Sequence, residues 1–123
     1  MNNRIMVLDD DEDILEILVY LLKKEGYEIW SRNNGHTLQD DIATFKPDLL
    51  LMDVLLGELN GMELCSLLKH QPETHMLPII LISGTHDLSA TLYLEGAPDD
   101  FLAKPFDVIT LLQKVEKKLA RQD

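Results

Sequence analysis

The chain holds a single cysteine, Cys65, among 123 residues. That scarcity excludes an internal disulfide and any zinc cage built on several thiolates. Its four histidines, His36, His70, His75 and His86, show no ligand spacing on a common helix face and are expected at the surface. Long apolar runs are also missing, since every one stays far short of the roughly 20 residues that span a bilayer. No membrane anchoring is therefore expected. The opening Met-Asn-Asn-Arg, followed by a short apolar run and then acids, lacks the shape of a signal peptide, and a cytoplasmic location is expected. Basic residues are in deficit, with 11 Lys and Arg against 22 Asp and Glu, for a net charge of −11. A phosphate backbone would repel such a surface, so direct nucleic-acid binding by this chain is not expected.

What is present is ordinary globular usage, 46% hydrophobic and 27% charged. The length suits one domain with its own core, and no repeat or linker-like stretch divides it, so residues 1–123 are expected to form a single domain. Short apolar runs alternate with helical patterns. Residues 5–8, 27–31, 49–52, 79–82 and 101–102 have the character of strands, the third apolar throughout and therefore buried on both faces. Between them, helical spacing joins Ile14, Leu15, Ile17, Leu18, Leu21 and Leu22, which Gly26 terminates. The same spacing joins Leu38, Ile42 and Phe45 ahead of Pro47, and Met62, Leu64, Leu67 and Leu68 after the Asn60-Gly61 turn. Leu88, Leu92 and Leu94 suggest a short fourth helix, and Val108, Leu111, Leu112, Val115 and Leu119 a last one. Five βα units in succession call for a parallel sheet, because each right-handed crossover returns the chain to the same end. The expected fold is α/β, a doubly wound five-stranded parallel sheet with helices on both faces, flavodoxin-like (βα)5. Its ligand crevice lies at the carboxyl ends of the strands.

The charge is unevenly spread. Residues 1–103 carry 19 acids and 6 bases, whereas residues 104–123 carry 3 acids and 5 bases. The acids are densest at Asp9-Asp10-Asp11-Glu12-Asp13, directly after the first strand. Part of that run suits the start of a helix, where the backbone dipole favours negative charge. The strand ends, however, bring a restricted set of side chains together: Asp9 and Asp10, Asp53, Ser83, and Lys104 beside Pro105. Three clustered carboxylates repel one another unless a cation neutralises them. All-oxygen ligands suit Mg²⁺, with Mn²⁺ as the alternative. Lys104 can pair with a carboxylate at rest and with a phosphoryl oxygen when one arrives.

The residues 4–18, 47–61, the strand end Ile82-Ser83-Gly84, and residues 100–106 together resemble the receiver domain of bacterial two-component response regulators. The resemblance implies a phosphoacceptor regulatory domain rather than a turnover enzyme. Asp53 would take a phosphoryl group from a histidine of a sensor kinase or histidine phosphotransfer protein. It further implies Mg²⁺ held by Asp10, Asp53 and the Leu55 backbone carbonyl, with Asp9 acting through water. Ser83 and Lys104 would bind the phosphoryl oxygens, and Ser83 with Phe101 would form the switch toward the surface of the fourth helix, fifth strand and last helix. A downstream protein or fused output domain is implied without being named, and homodimerisation is left open.

The sequence departs from the family at Gly57, where relatives usually carry Pro, at Gly84, where Ala is common, and at Pro98, which reads as an extra residue. The loop at Gly57 is expected to be more flexible and its turn less preorganised. Phe101 lacks the hydroxyl that many relatives have as Tyr. Leu55, two residues past Asp53, cannot orient water, so a slowly hydrolysing aspartyl phosphate is expected. Two other readings compete with the receiver. An Asp-nucleophile Mg²⁺ phosphatase would carry a second Asp at Leu55, and an unphosphorylated interaction module would not need Asp10, Asp53, Ser83 and Lys104 together. A flavin-binding reading fails because the first loop offers carboxylates in place of amide donors.

Overall fold

The computed structural model describes residues 3–84 and 96–120. Its main sheet is built from β1 (Arg4–Leu8), β2 (Glu28–Arg32), β3 (Leu49–Asp53), β6 (Ile79–Ser83) and β7 (Asp100–Ala103). These five strands lie in the order β2-β1-β3-β6-β7, and every neighbouring pair is parallel. Four helices are described: α1 (Glu12–Lys24), α2 (Leu38–Phe45), α3 (Gly61–Lys69) and α4 (Val108–Ala120). The expected fourth helix of the sequence, with Leu88, Leu92 and Leu94, lies outside the described residues, as does His86.

Alternation along buried strands sorts the core into two layers. Ile5, Val7, Leu49, Leu51, Ile80, Ile82 and Leu102 face Leu18 and Leu22 of α1 and Leu111, Val115 and Leu119 of α4. Met6, Leu8, Leu50, Met52, Ile79 and Leu81 face Leu38, Ile42 and Phe45 of α2 and Cys65 and Leu68 of α3. The chain leaves β1 toward β2 on one side and returns to β3 on the other. The carboxyl ends of β1 and β3 therefore flank the point where strand order reverses, where a crevice opens in such sheets.

The structure changes several details of the sequence reading. Ile17, Leu67 and Val108 are exposed, so the buried stripes of their helices are narrower than the apolar pattern. The loop after β3 contains a small antiparallel hairpin, β4 (Leu55–Leu56) and β5 (Leu59–Asn60), which two-residue strands leave without any periodic signal. Its turn begins at Gly57 with φ +63, in the left-handed region that Gly enters at no steric cost. The loop marked at Gly57 in the sequence thus holds a short antiparallel hairpin. Asn60 caps α3 by accepting from the Met62 and Glu63 amides. Gly61 follows because no other residue fits: a Cβ there would stand 2.5 Å from the Asp53 carbonyl oxygen. On the last helix Lys118 is only 7% exposed, and Lys114 is tied to Asp100 at 3.0 Å. His36, His70 and His75 are exposed, as expected.

Candidate functional site

The acidic run divides by role. Asp11 caps α1, its Oδ1 accepting from the amides of Asp13 and Ile14, and Glu12 and Asp13 occupy the first turn, where they complement the helix dipole. Asp9 and Asp10 remain outside the helix. Asp9 continues the alternation of Ile5 and Val7 off the end of β1, Asp53 ends β3 in the parity of Leu49 and Leu51, and Lys104 follows β7 in the parity of Leu102. One face of the sheet therefore carries two acids and a base to the same edge.

There, Lys104 Nζ lies 2.8 Å from Asp53 Oδ2 and 3.0 Å from Asp9 Oδ2. Asp9 is fully buried and Asp53 nearly so. The Asp53 Oδ1 accepts from the Leu55 amide at 3.1 Å, so each of its oxygens has a donor. Asp9 Oδ1 accepts from the Asp11 amide at 2.9 Å, but the buried Oδ2 has no hydrogen-bond partner, its approach to Lys104 being off the hydrogen-bonding direction. Burial pushes the Asp9 carboxyl up to about 6, helped by the charge of Asp53 and opposed by the Asp11 amide and Lys104. Burial pulls the Lys104 ammonium down, but the hydrogen bond to Asp53 and the charge attraction of Asp53 and Asp9 outweigh it, leaving Lys104 above its ordinary range.

Carboxylate oxygens of Asp9, Asp10 and Asp53 all lie within 4.8 Å of one another. Three carboxylates face one ammonium, and one buried oxygen lacks a hydrogen bond. This donor set is all oxygen and carries surplus negative charge, which fits a hard divalent cation such as Mg²⁺. Asp10 is exposed, and its Oδ2 accepts from the Gly57 amide at 3.1 Å. Leu55 opens β4 directly beyond the site and is 58% exposed.

Ser83 is buried at the end of β6, and its carbonyl accepts from the Lys104 amide at 2.8 Å. By alternation it shares the parity of Ile79 and Leu81, the face on which Phe101 packs half-buried against the α2 and α3 layer. Leu81 pairs with Phe101 and Ser83 with Ala103, which places Ser83 one pleat beyond Phe101 on the adjacent strand. The structure therefore brings Asp9, Asp10, Asp53 and Lys104 together, and places Ser83 and Phe101 on one face of adjacent strands, two residues apart in register. Gly57 and Gly61 are contributions that the sequence marked only as turn residues. The close approach of Gly61 to Asp53 carries no signal in composition or periodicity.

Comparison with known proteins agrees with this geometry. Residues 5–116 match the family model of the response regulator receiver domain. Over 124 aligned residues the chain is 34% identical to the alkaline phosphatase synthesis transcriptional regulatory protein PhoP of Bacillus subtilis strain 168, and it spans about half (51%) of that relative's length. A crystal structure from Chloroflexus aurantiacus J-10-fl, assigned as a response regulator, superposes with a TM-score of 0.88 at 33% identity, covering 98% of this chain and 99% of that one. The signal receiver domain of a signal transduction histidine kinase from Syntrophus aciditrophicus gives 0.86 at 31% identity, covering 96% and 90%. With the sheet order, the acidic cluster and these matches in agreement, the chain belongs to the receiver domain family of two-component response regulators, whose members serve phosphorelay signalling as phosphoacceptors.

Proposed function

We propose that residues 1–123 act as one receiver domain in which Asp53 accepts a phosphoryl group from a phosphohistidine of a sensor kinase or histidine phosphotransfer protein. The observation that carries this reading is the buried, hydrogen-bond-deficient Asp9 Oδ2 beside Asp53, with Lys104 shared between the two acids. An Asp53 oxygen attacks phosphorus, the P–N bond breaks, and its electron pair returns to the donor imidazole. Such transfers need positioning and charge neutralisation more than covalent help, and the domain assists its own phosphorylation in this sense. Asp10, Asp53, the Leu55 carbonyl and, through water, Asp9 would hold Mg²⁺, or Mn²⁺ in its place. That cation would neutralise charge on the phosphoryl oxygens.

Lys104 already stands at Asp53 and would turn to a phosphoryl oxygen on the product, with the Ser83 hydroxyl donating to another. Phosphorylation raises the charge at Asp53 from one negative to about two and adds acceptor oxygens. Drawing in Ser83 changes the room available to Phe101 on the same face, which carries the event to the surface around β7 and α4. The readers of that surface would be a downstream protein, a fused output domain or a second copy of the chain, in the cytoplasm. Among the described residues no helix is long and apolar enough to cross a membrane.

Incubation with a small-molecule phosphodonor and Mg²⁺ tests the reading. The native chain should gain the mass of one phosphoryl group, and the gain should vanish in Asp53→Asn and with chelator; no gain with any donor would sink it. Exposed Leu55 offers no polar side-chain atom to hold an attacking water. The acyl phosphate should therefore be long-lived, and Leu55→Asn should shorten its lifetime several-fold in a radiolabel-loss assay. Equal lifetimes in the two chains would remove Leu55 from the account.

A further inference from the structure

The β4–β5 hairpin makes a contact that the family resemblance does not explain. Gly57 stands where relatives usually have Pro, at φ +63, and its amide donates to Asp10 Oδ2 across 47 residues of sequence. Proline would supply neither the N–H nor the positive φ. We propose that the Gly57 amide is a positioning group for Asp10, holding that carboxylate toward Asp9 and Asp53 and thereby setting the affinity for a divalent cation. The inference rests on the reading of Asp10 as a cation ligand.

Asp10 is exposed and lies beyond the end of β1, so its side chain has little packing to select a rotamer. The hairpin supplies what packing does not. Leu55 pairs with Asn60 and Leu56 with Leu59, closing the turn on itself. The Gly61 amide then donates to the Val54 carbonyl at 2.6 Å, and the close approach of Gly61 to Asp53 clamps the hairpin base onto the end of β3. A hydrogen bond from this turn to Asp10 thus couples Asp10 to the strand that carries Asp53. A carboxylate has about four lone-pair sites, so accepting one N–H leaves capacity for a cation. Fixing the ligand before the cation arrives removes part of the ordering cost of binding.

The test uses Mg²⁺ alone, titrated calorimetrically into the native chain, Gly57→Pro and Gly57→Asn, with no phosphodonor present. Asn keeps the N–H and tolerates a left-handed φ, and a Cβ at position 57 meets nothing within 4 Å. Native and Gly57→Asn should bind within about threefold of each other, and Gly57→Pro roughly tenfold more weakly, the scale of one charge-assisted hydrogen bond. Equal or tighter binding by Gly57→Pro overturns the positioning role, as does an equal loss in Gly57→Asn. A second measurement holds even if the proline variant does not fold. In amide NMR spectra, Asp10→Ala should shift the Gly57 proton and speed its exchange, and an unmoved Gly57 resonance overturns the tether. Failure of the native chain to bind Mg²⁺ while the Gly57 resonance still responds to Asp10→Ala would overturn the cation reading and, with it, the role of the tether in binding.

Discussion

Two lysine–aspartate pairs sit at opposite ends of β6 and β7, and they are built to different rules. At the amino end, Lys69 Nζ meets Asp99 Oδ2 at 2.6 Å and the Leu77 carbonyl at 2.8 Å, while the same Asp99 oxygen accepts from the Ile79 amide. One cation faces one anion, and the remaining hydrogen-bonding needs are met by backbone. At the carboxyl end, Lys104 serves both Asp53 and Asp9, with Asp10 close by, and a buried oxygen of Asp9 lacks a hydrogen bond. The first arrangement closes the loop before β7 onto the start of β6. The second keeps charge in surplus where, on the proposed function, a ligand would be received, at a cost to stability that the fold carries elsewhere.

If that contrast is right, disturbing the two pairs should move stability in opposite directions. The largest effect is expected from Lys69→Met, which strands the Asp99 carboxylate and the Leu77 carbonyl. Urea unfolding should show a loss of about 3 kcal/mol, and a neutral result would mean that the pair is not structural. Asp9→Asn should instead stabilise the Mg²⁺-free protein at neutral pH, by on the order of 2 kcal/mol. The sign follows from Asp9 being raised from 3.8 to about 6 in the folded state. Between these values the folded chain holds more proton than the unfolded one, so stability falls as pH rises from about 4 through about 6, and above that the cost is constant. Asn removes the titration, so unfolding at a series of pH values should give a flatter profile for the variant; parallel profiles would break the comparison. The smallest effect is at Gly84, where an added Cβ would meet the Lys104 stem at 3.6 Å and 3.8 Å, ordinary contact distances. Gly84→Ala should add about 0.5 kcal/mol by restricting the unfolded chain while leaving the charged cluster unchanged, measurable as a small rise in thermal midpoint.

Much of this architecture was legible in the sequence for a simple reason. Buried parallel strands must be apolar on both faces, so Ile5 to Leu8, Leu49 to Met52 and Ile79 to Ile82 stand out, and the polar residue ending each is placed by topology at one edge. Asp9, Asp10, Asp53 and Lys104 were therefore findable without coordinates. The Lys69–Asp99 pair was not, because 30 residues separate its members and each alone resembles a solvated charge. Nor was the hairpin, whose strands are too short to show alternation. The left-handed turn at Gly57 and the missing Cβ at Gly61 express what surrounds them in space, and one-dimensional patterns carry no record of that.

The alternation of the sheet also bears on how such a domain handles information. Asp9, Asp53 and Lys104 belong to one side of the sheet, Ser83 and Phe101 to the other. On the proposed function, the chemistry would be received on one surface of a single molecular layer and reported on its reverse, with the carboxyl edge of β6 as the place where the two meet. A one-residue deletion within β6 would invert this arrangement, sending Ser83 to the receiving side and uncoupling the report while the acids themselves stayed in place.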